Sequence, residues 1–319
     1  MNTNYQTLVN ICDKKEVIIP VAEHRKPDGT MDVERNKKTW NNAISKFEQI
    51  KLWDEKTPNF DDRDPLQVEP SIIFVPGLNQ TKLGGTIIVA CGGGFETRTC
   101  CESFHVARYF VEAGFNCAIL TYRVKPYGRY DAMHDMQRAI RYIRAHKEEL
   151  GVSDKVVCMG FSAGGMLSGN CATHFDEGNK ESNDLVEQQS CRPNGVVIGY
   201  GAFSFAGLPG GFFVDPFANY TRNPFFANKE ELIYFSPEVN ITPKTPPFFI
   251  WQTNSDDPRH SFTLGQALTA NGVPFEMHLF PEGVHGMAMA DGFNDLGLNI
   301  PQVHKWGNLC VGWLNNLEL

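Results

Sequence analysis

The 319-residue chain contains no run of about 18 apolar residues, which argues against a membrane-spanning helix. Its opening segment, MNTNYQTLVNICDKKEVIIPVAEHRKPDG, has no basic stretch leading into an apolar one. A secretory leader is therefore not expected, and a cytoplasmic location is. No excess of positive charge is present: 29 Lys+Arg stand against 37 Asp+Glu, a net −8. That balance disfavours a nucleic-acid partner, because a phosphate backbone calls for a basic face. The 29 Gly and 19 Pro show no triplet period, so a fibrous chain is excluded. The nine Cys are odd in number and scattered, with no CxxC pair and no Cys/His spacing that suits zinc. Reduced thiols in a reducing compartment are expected rather than a disulfide framework.

With 42% hydrophobic and 21% charged residues, the composition is that of an ordinary globular protein with a sizeable core. Residues 1–69 are polar and weakly periodic, with a helical candidate near Lys38–Phe47 and an acidic loop at Asp61, Asp62 and Asp64. They read as an N-terminal extension packed on or decorating a domain that spans residues 70–319. In that domain short apolar runs alternate with helical patterns. Strands are expected at Ile72–Val75, Thr86–Ala90, Cys117–Thr121, Val156–Met159, Val196–Tyr200, Phe248–Gln252 and Phe275–Phe280. Helices are expected at Arg98–Ala113, Asp131–Leu150, Ala163–His174, Phe262–Ala270 and Val303–Asn315. Continuous apolar strands separated by helices imply an α/β fold with a mostly parallel, doubly wound sheet covered on both faces. The Phe-, Pro- and Gly-rich interval at about 203–247 is too long for a plain connection. It reads as an insertion over the carboxyl edge of the sheet, where ligands bind in such folds.

The sharpest motif is Gly160-Phe-Ser162-Ala-Gly164-Gly165, placed between an expected strand and an expected helix. A hard turn there would raise the Ser162 hydroxyl clear of the sheet at a helix N-terminus, with the Ala163 amide beside it. A serine nucleophile needs a base. His285, in Phe280-Pro-Glu-Gly-Val-His-Gly, follows the last expected core strand and can reach the same edge. His105, His134, His146 and His174 fall on helical patterns, His278 inside a strand pattern and His304 at the start of the last helix. The base in turn needs an orienting carboxylate. Asp256 and Asp257 both follow the strand Phe248–Gln252, and Asp256 is favoured, with Asp257 read as a loop-capping residue. Gly92, Gly93 and Gly94 end the strand Thr86–Ala90; neither GxxxxGK[ST] nor GxGxxG can be completed there, which disfavours a phosphate loop. The amides of Gly93 or Gly94, with that of Ala163, are the expected oxyanion donors.

These residues, in this order, resemble the α/β-hydrolase fold. From about Ile72 to Trp313 the chain is similar to the bacterial carbohydrate acetylesterase and acetylxylan-esterase-like branch, which is akin to prolyl oligopeptidase and dienelactone hydrolase domains. The resemblance is carried by Ala90-Cys-Gly-Gly-Gly-Phe, Thr121-Tyr-Arg-Val, His134-Asp-Met-Gln-Arg-Ala-Ile, Thr245-Pro-Pro-Phe-Phe-Ile-Trp-Gln-Thr and Phe280-Pro-Glu-Gly-Val-His-Gly. Two stretches depart from it: Cys91 stands where relatives often carry His or Pro, and Pro258-Arg-His-Ser replaces an apolar run after the acidic loop. The resemblance implies a cofactor-free serine mechanism on small acylated substrates, and it favours Asp256 over Asp257.

The reading that follows is a serine carboxylic-ester hydrolase with a Ser162–His285–Asp256 triad and no cofactor or metal. It would remove short acyl groups, acetyl above all, from sugars or oligosaccharides. Phe203, Phe205, Phe212, Phe213, Phe217, Tyr220, Phe225 and Phe226 offer a stacking wall for a sugar or, alternatively, internal packing or a subunit contact. No nucleic-acid or membrane partner is expected, and a homo-oligomer is compatible with the sequence. Two alternatives remain: a prolyl-oligopeptidase-like peptidase and a non-catalytic hydrolase-fold binding protein.

Overall fold

A computed structural model describes residues 3–20, 23, 26, 32–61, 63–80, 83–201, 204–206 and 226–319. Its centre is an eight-stranded sheet in the order β1-β2-β4-β3-β5-β6-β7-β8. The strands are β1 (Ile50–Lys51), β2 (Ser71–Val75), β3 (Thr86–Ala90), β4 (Asn116–Thr121), β5 (Val156–Phe161), β6 (Gly195–Gly199), β7 (Phe248–Thr253) and β8 (Phe275–Phe280). Every residue of β3 through β7 is buried, which is why these segments read as unbroken apolar runs without alternation. β1 and β2 pair antiparallel at one end, and β4-β3-β5-β6-β7-β8 run parallel.

The helices are α1 (Thr3–Asp13), α2 (Val33–Ile44), α3 (Phe104–Glu112), α4 (Arg129–Ala145), α5 (Lys147–Leu150), α6 (Ala163–Thr173), α7 (Lys229–Tyr234), α8 (Arg259–Ala270), α9 (Pro301–His304) and α10 (Trp306–Asn316). Two of them differ from expectation for identifiable reasons. The pattern over Arg98–Ala113 holds a short 3-10 turn at Cys100–Glu102 before α3 begins. Upstream of it the backbone folds onto the glycine loop instead, with Thr97 N–H bonded to the Gly93 carbonyl and Thr99 N–H to that of Gly92. The pattern over Asp131–Leu150 is broken at His146, which closes α4 and opens α5.

The N-terminal helices share the core of the sheet. Leu8, Ile11, Trp40 and Ile44 belong to the same buried cluster as the strand residues. Trp40 meets Phe104 with ring centroids 5.4 Å apart, and Asn4 Nδ2 donates to the Phe74 carbonyl of β2 at 3.0 Å. Lys37 Nζ donates to the Lys125 carbonyl at 2.6 Å.

The motifs Thr121-Tyr-Arg-Val and His134-Asp-Met meet in a buried ion pair. Arg123 follows β4 and Asp135 lies on α4, their side chains 1% and 0% exposed. Arg123 Nη2 donates to Asp135 Oδ1 at 2.7 Å, and the Arg123 amide to Oδ2 at 2.6 Å. Burial pushes the Asp135 carboxyl up to about 6, against the pull of the guanidinium.

Register places the functional edge. Ala90 of β3 sits opposite Gly160 of β5, Phe161 opposite Gly199 of β6, and Thr253 of β7 opposite Phe280 of β8. The segments that leave these strands — the glycine loop, the serine turn, Tyr200, the acidic loop and the His285 loop — therefore emerge side by side at the carboxyl edge.

Candidate active site

The chain turns sharply between β5 and α6. Ser162, at φ 53° and ψ −119°, occupies backbone space that L-residues rarely adopt. Its amide bonds the Gly199 carbonyl at 3.1 Å, and its carbonyl accepts from Met166 N–H at 3.1 Å. The flanking glycines follow from space: a Cβ at Gly160 would lie 1.9 Å from the Gly164 carbonyl oxygen, and one at Gly164 would lie 2.1 Å from that of Ala90. The hydroxyl is thus held out at the N-terminus of α6, whose positive dipole end favours negative charge.

The structure brings Ser162, His285 and Asp256 into one chain of hydrogen bonds. Ser162 Oγ and His285 Nε2 are 2.7 Å apart. His285 Nδ1 and Asp256 Oδ2 are also 2.7 Å apart. The imidazole keeps 45% of its side-chain surface exposed, while Asp256 retains 21%. Burial would push His285 down, but the Asp256 carboxylate on Nδ1 and the more distant Glu102 outweigh it and hold the ring above its ordinary value. The acidic loop is fastened to its neighbours: Asp256 N–H bonds the Thr253 carbonyl at 3.2 Å and Asn254 N–H that of Phe280 at 2.9 Å. The Ser255 hydroxyl donates to the Gly283 carbonyl in the His285 loop.

Asp257 points elsewhere. Its carboxylate takes Arg259 Nε at 2.7 Å and Nη2 at 2.6 Å, at the start of α8. His260 accepts the Ser204 amide on Nδ1 at 3.0 Å, and burial pushes it down to about 4. It is thus a neutral imidazole that anchors the chain leaving β6.

The glycine loop lies beside Ser162. Gly93 adopts φ 118° and Gly94 φ 63°. The Gly92 amide is taken by Glu102 Oε2 at 2.6 Å, whereas among the described residues the amides of Gly93 and Gly94 have no acceptor in the protein. The Cys91 carbonyl accepts from the Tyr122 hydroxyl at 2.7 Å, which fixes the strand end. Burial pushes the Cys91 thiol up to about 12, so it does not compete as a nucleophile. Among the described residues no cluster of three His, Cys, Asp or Glu could hold a metal.

Glu102 and Tyr200 escaped sequence reasoning, since both read as parts of regular elements. Of the expected aromatic wall, Phe203, Phe212, Phe213, Phe217, Tyr220 and Phe225 lie outside the described residues. Phe205 and Phe226 meet edge-on at 4.9 Å, and the Arg129 guanidinium lies 4.7 Å from the Phe226 ring centre.

Comparison with known proteins identifies the family. The BD-FAE family pattern matches residues 73–268. The solved acetyl ester-xyloside bifunctional hydrolase from Caldicellulosiruptor lactoaceticus is 32% identical, with a TM-score of 0.73 over 85% of this chain and 96% of that one. A sugar hydrolase from Lactococcus lactis is 26% identical, with a TM-score of 0.62 over 82% of this chain and 99% of that one. Endo-1,4-beta-xylanase B of Butyrivibrio fibrisolvens is 31% identical over 78% of this chain and 39% of its own length. The chain spans about two-fifths of the length of the curated relatives it matches. A parallel sheet with a serine turn at its carboxyl edge, together with a family match over more than half of the residues, places the protein: it belongs to the BD-FAE family of α/β-hydrolases.

Proposed function

We propose that the protein is a serine carboxylic-ester hydrolase that removes short acyl groups, chiefly acetyl, from sugars or oligosaccharides. The observation that carries this reading is the unbroken Ser162–His285–Asp256 chain, with 2.7 Å at each link. Ser162 Oγ attacks the ester carbonyl while His285 Nε2 takes its proton. Asp256 holds the ring in the tautomer with hydrogen on Nδ1 and stabilises the imidazolium. The tetrahedral oxyanion is received by the amides of Ala163 and of Gly93 or Gly94, each worth about 3 kcal/mol to the transition state. His285 then protonates the leaving sugar hydroxyl, the acyl group stays on Ser162, and water repeats the cycle. This chemistry requires no metal or organic cofactor.

The acetyl and sugar assignment draws on relatives described as an acetyl ester-xyloside bifunctional hydrolase and a sugar hydrolase. The exposed imidazole is consistent with a bulky leaving group approaching from solvent. We infer a cytoplasmic location; the nine buried free thiols, which suit a reducing compartment, support that reading. No helix among the described residues is long and apolar enough to cross a membrane.

A panel of p-nitrophenyl esters of rising chain length, run beside acetylated xylo-oligosaccharides, tests the substrate class. Acetate release from the saccharides with poor turnover of long acyl chains supports the assignment. Preference for long chains refutes it.

A further inference from the structure

Among the described residues, Glu102 is a fully buried carboxylate beside Ser162 and His285 that has no part in the proposed proton relay. It is 2% exposed and follows two buried cysteines in the 3-10 turn before α3. A carboxylate there stays only if both oxygens are satisfied. Oε2 accepts the Gly92 amide at 2.6 Å. Oε1 accepts the Tyr200 hydroxyl at 2.9 Å. That hydroxyl itself accepts Ala288 N–H at 2.9 Å, three residues beyond His285. The Tyr200 ring also stands edge-on to the His285 ring, with centroids 5.1 Å apart. One carboxylate therefore joins the glycine loop to the loop that carries the base.

We infer that Glu102 is a positioning residue for catalysis: it orients the Cys91–Gly92 peptide so that the next amides face the oxyanion, and through Tyr200 it seats the His285 loop. The inference rests on Ser162 and His285 being nucleophile and base. Space confirms how tightly the groups are set, since a Cβ at Gly92 would meet both Glu102 Oε2 and Ser162 Cβ at 2.7 Å. The Gly92 donor points at Glu102 and is lost to the substrate, which leaves that role to the amides after it. A mislaid donor costs rate and not affinity, because the oxyanion exists only in the transition state.

The hydrogen-bond directions suit the anion. The Gly92 amide has a fixed proton, and the Tyr200 hydroxyl, already accepting from Ala288, has its own proton to give. Burial raises the Glu102 carboxyl from its ordinary value, while His285, the Gly92 amide and Tyr200 pull it back. The charged and titratable groups around the pair are Asp256 on the acidic loop, His260 on α8, Asp295 beyond the His285 loop and the buried thiols Cys91 and Cys101.

The test compares Glu102→Gln, Glu102→Asp and Tyr200→Phe on p-nitrophenyl acetate, with active sites counted by fluorophosphonate titration. In Glu102→Gln one of the two acceptor oxygens becomes an NH2 group, so the Gly92 amide and the Tyr200 hydroxyl cannot both keep an acceptor. The expected result is a fall in kcat of about tenfold or more, with KM within about threefold, and an acid limb of kcat/KM moved to lower pH. Glu102→Asp retains the charge and should keep the acid limb. Tyr200→Phe keeps the ring and the charge, loses the Ala288 link and should cost about fivefold in kcat with the acid limb in place. Wild-type kcat and an unmoved acid limb in titrated Glu102→Gln overturn the inference, even if its Tm falls, because that is what a merely structural role gives. If Glu102→Gln does not fold, Tyr200→Phe decides, and unchanged kcat there overturns it. Failure of the unmodified protein to take the fluorophosphonate label would instead overturn the triad itself.

Discussion

Asp256 and Asp257 are neighbours in sequence and serve different partners. Asp256 meets His285 Nδ1 at 2.7 Å, while Asp257, at φ 25°, turns its carboxylate onto Arg259 at 2.6 and 2.7 Å. The division follows from the turn after β7, where successive side chains leave in different directions. One carboxylate faces His285 and the other closes the entrance to α8.

The two positions should therefore respond unequally. Asp256→Asn should lower kcat by about 10⁴-fold, because an amide no longer selects the productive tautomer of His285. Asp257→Asn loses only the Arg259 link and should keep kcat within about fivefold, with a lowered Tm. Steady-state kinetics on p-nitrophenyl acetate reads both, and equal losses would mean that the roles are shared.

The pH profile follows from the sign of the His285 shift. The ring must be neutral to accept the Ser162 proton, and Asp256 and Glu102 hold it above the ordinary imidazole value. Activity should thus fall on the acid side from a pH above about 6.5. Asp256→Asn removes the largest favourable partner, so its residual activity should extend to lower pH. The pH dependence of kcat/KM for both proteins checks this, and an acid limb that stays put in the variant would contradict it.

Gly160→Ala should prevent folding of the serine turn. The added methyl would lie 1.9 Å from the Gly164 carbonyl oxygen and 2.6 Å from Ser168 Oγ, with backbone on one side and no room to relax. A loss of about 4 kcal/mol or more is expected, read as insoluble protein or a collapsed Tm. A soluble variant of wild-type Tm would show that the turn tolerates a side chain.

Asp135→Asn tests the clamp between β4 and α4. It leaves the Arg123 guanidinium, 1% exposed, with only the more distant Asp131 carboxylate at 3.3 Å against its charge. A cost of about 3–5 kcal/mol is expected in urea unfolding. Since the pair lies away from the triad, kcat of the folded fraction should change little.

Much of this was legible in the residues. Strands buried on both faces announce themselves as apolar runs, so β2 to β7 were expected within a residue or two; β8, an edge strand that is partly exposed, was expected at its observed bounds as well. The meeting of Ser162, His285 and Asp256 was expected because each follows a recognisable strand, and the carboxyl ends of those strands share one edge of the sheet. β1 could not be expected: it is two residues long and exists only through its pairing with β2. The turn at Cys100–Glu102 was hidden because its apolar spacing continues that of α3, and only tertiary hydrogen bonds to Gly92 and Gly93 divide them. Glu102 carried one faint signal, a lone carboxylate within the apolar run Cys100-Cys-Glu-Ser-Phe-His-Val. Its partners Gly92 and Tyr200 stand 10 and 98 residues away, beyond the reach of any local pattern.

The central claim is that the Ser162 hydroxyl, activated by His285, forms a covalent acyl intermediate. Intact-mass spectrometry after treatment with a fluorophosphonate measures this most directly. A single adduct should appear, map to the peptide containing Ser162, be prevented by Ser162→Ala, and coincide with loss of esterase activity. An adduct on another residue, or acetyl-ester hydrolysis that survives Ser162→Ala, would contradict it.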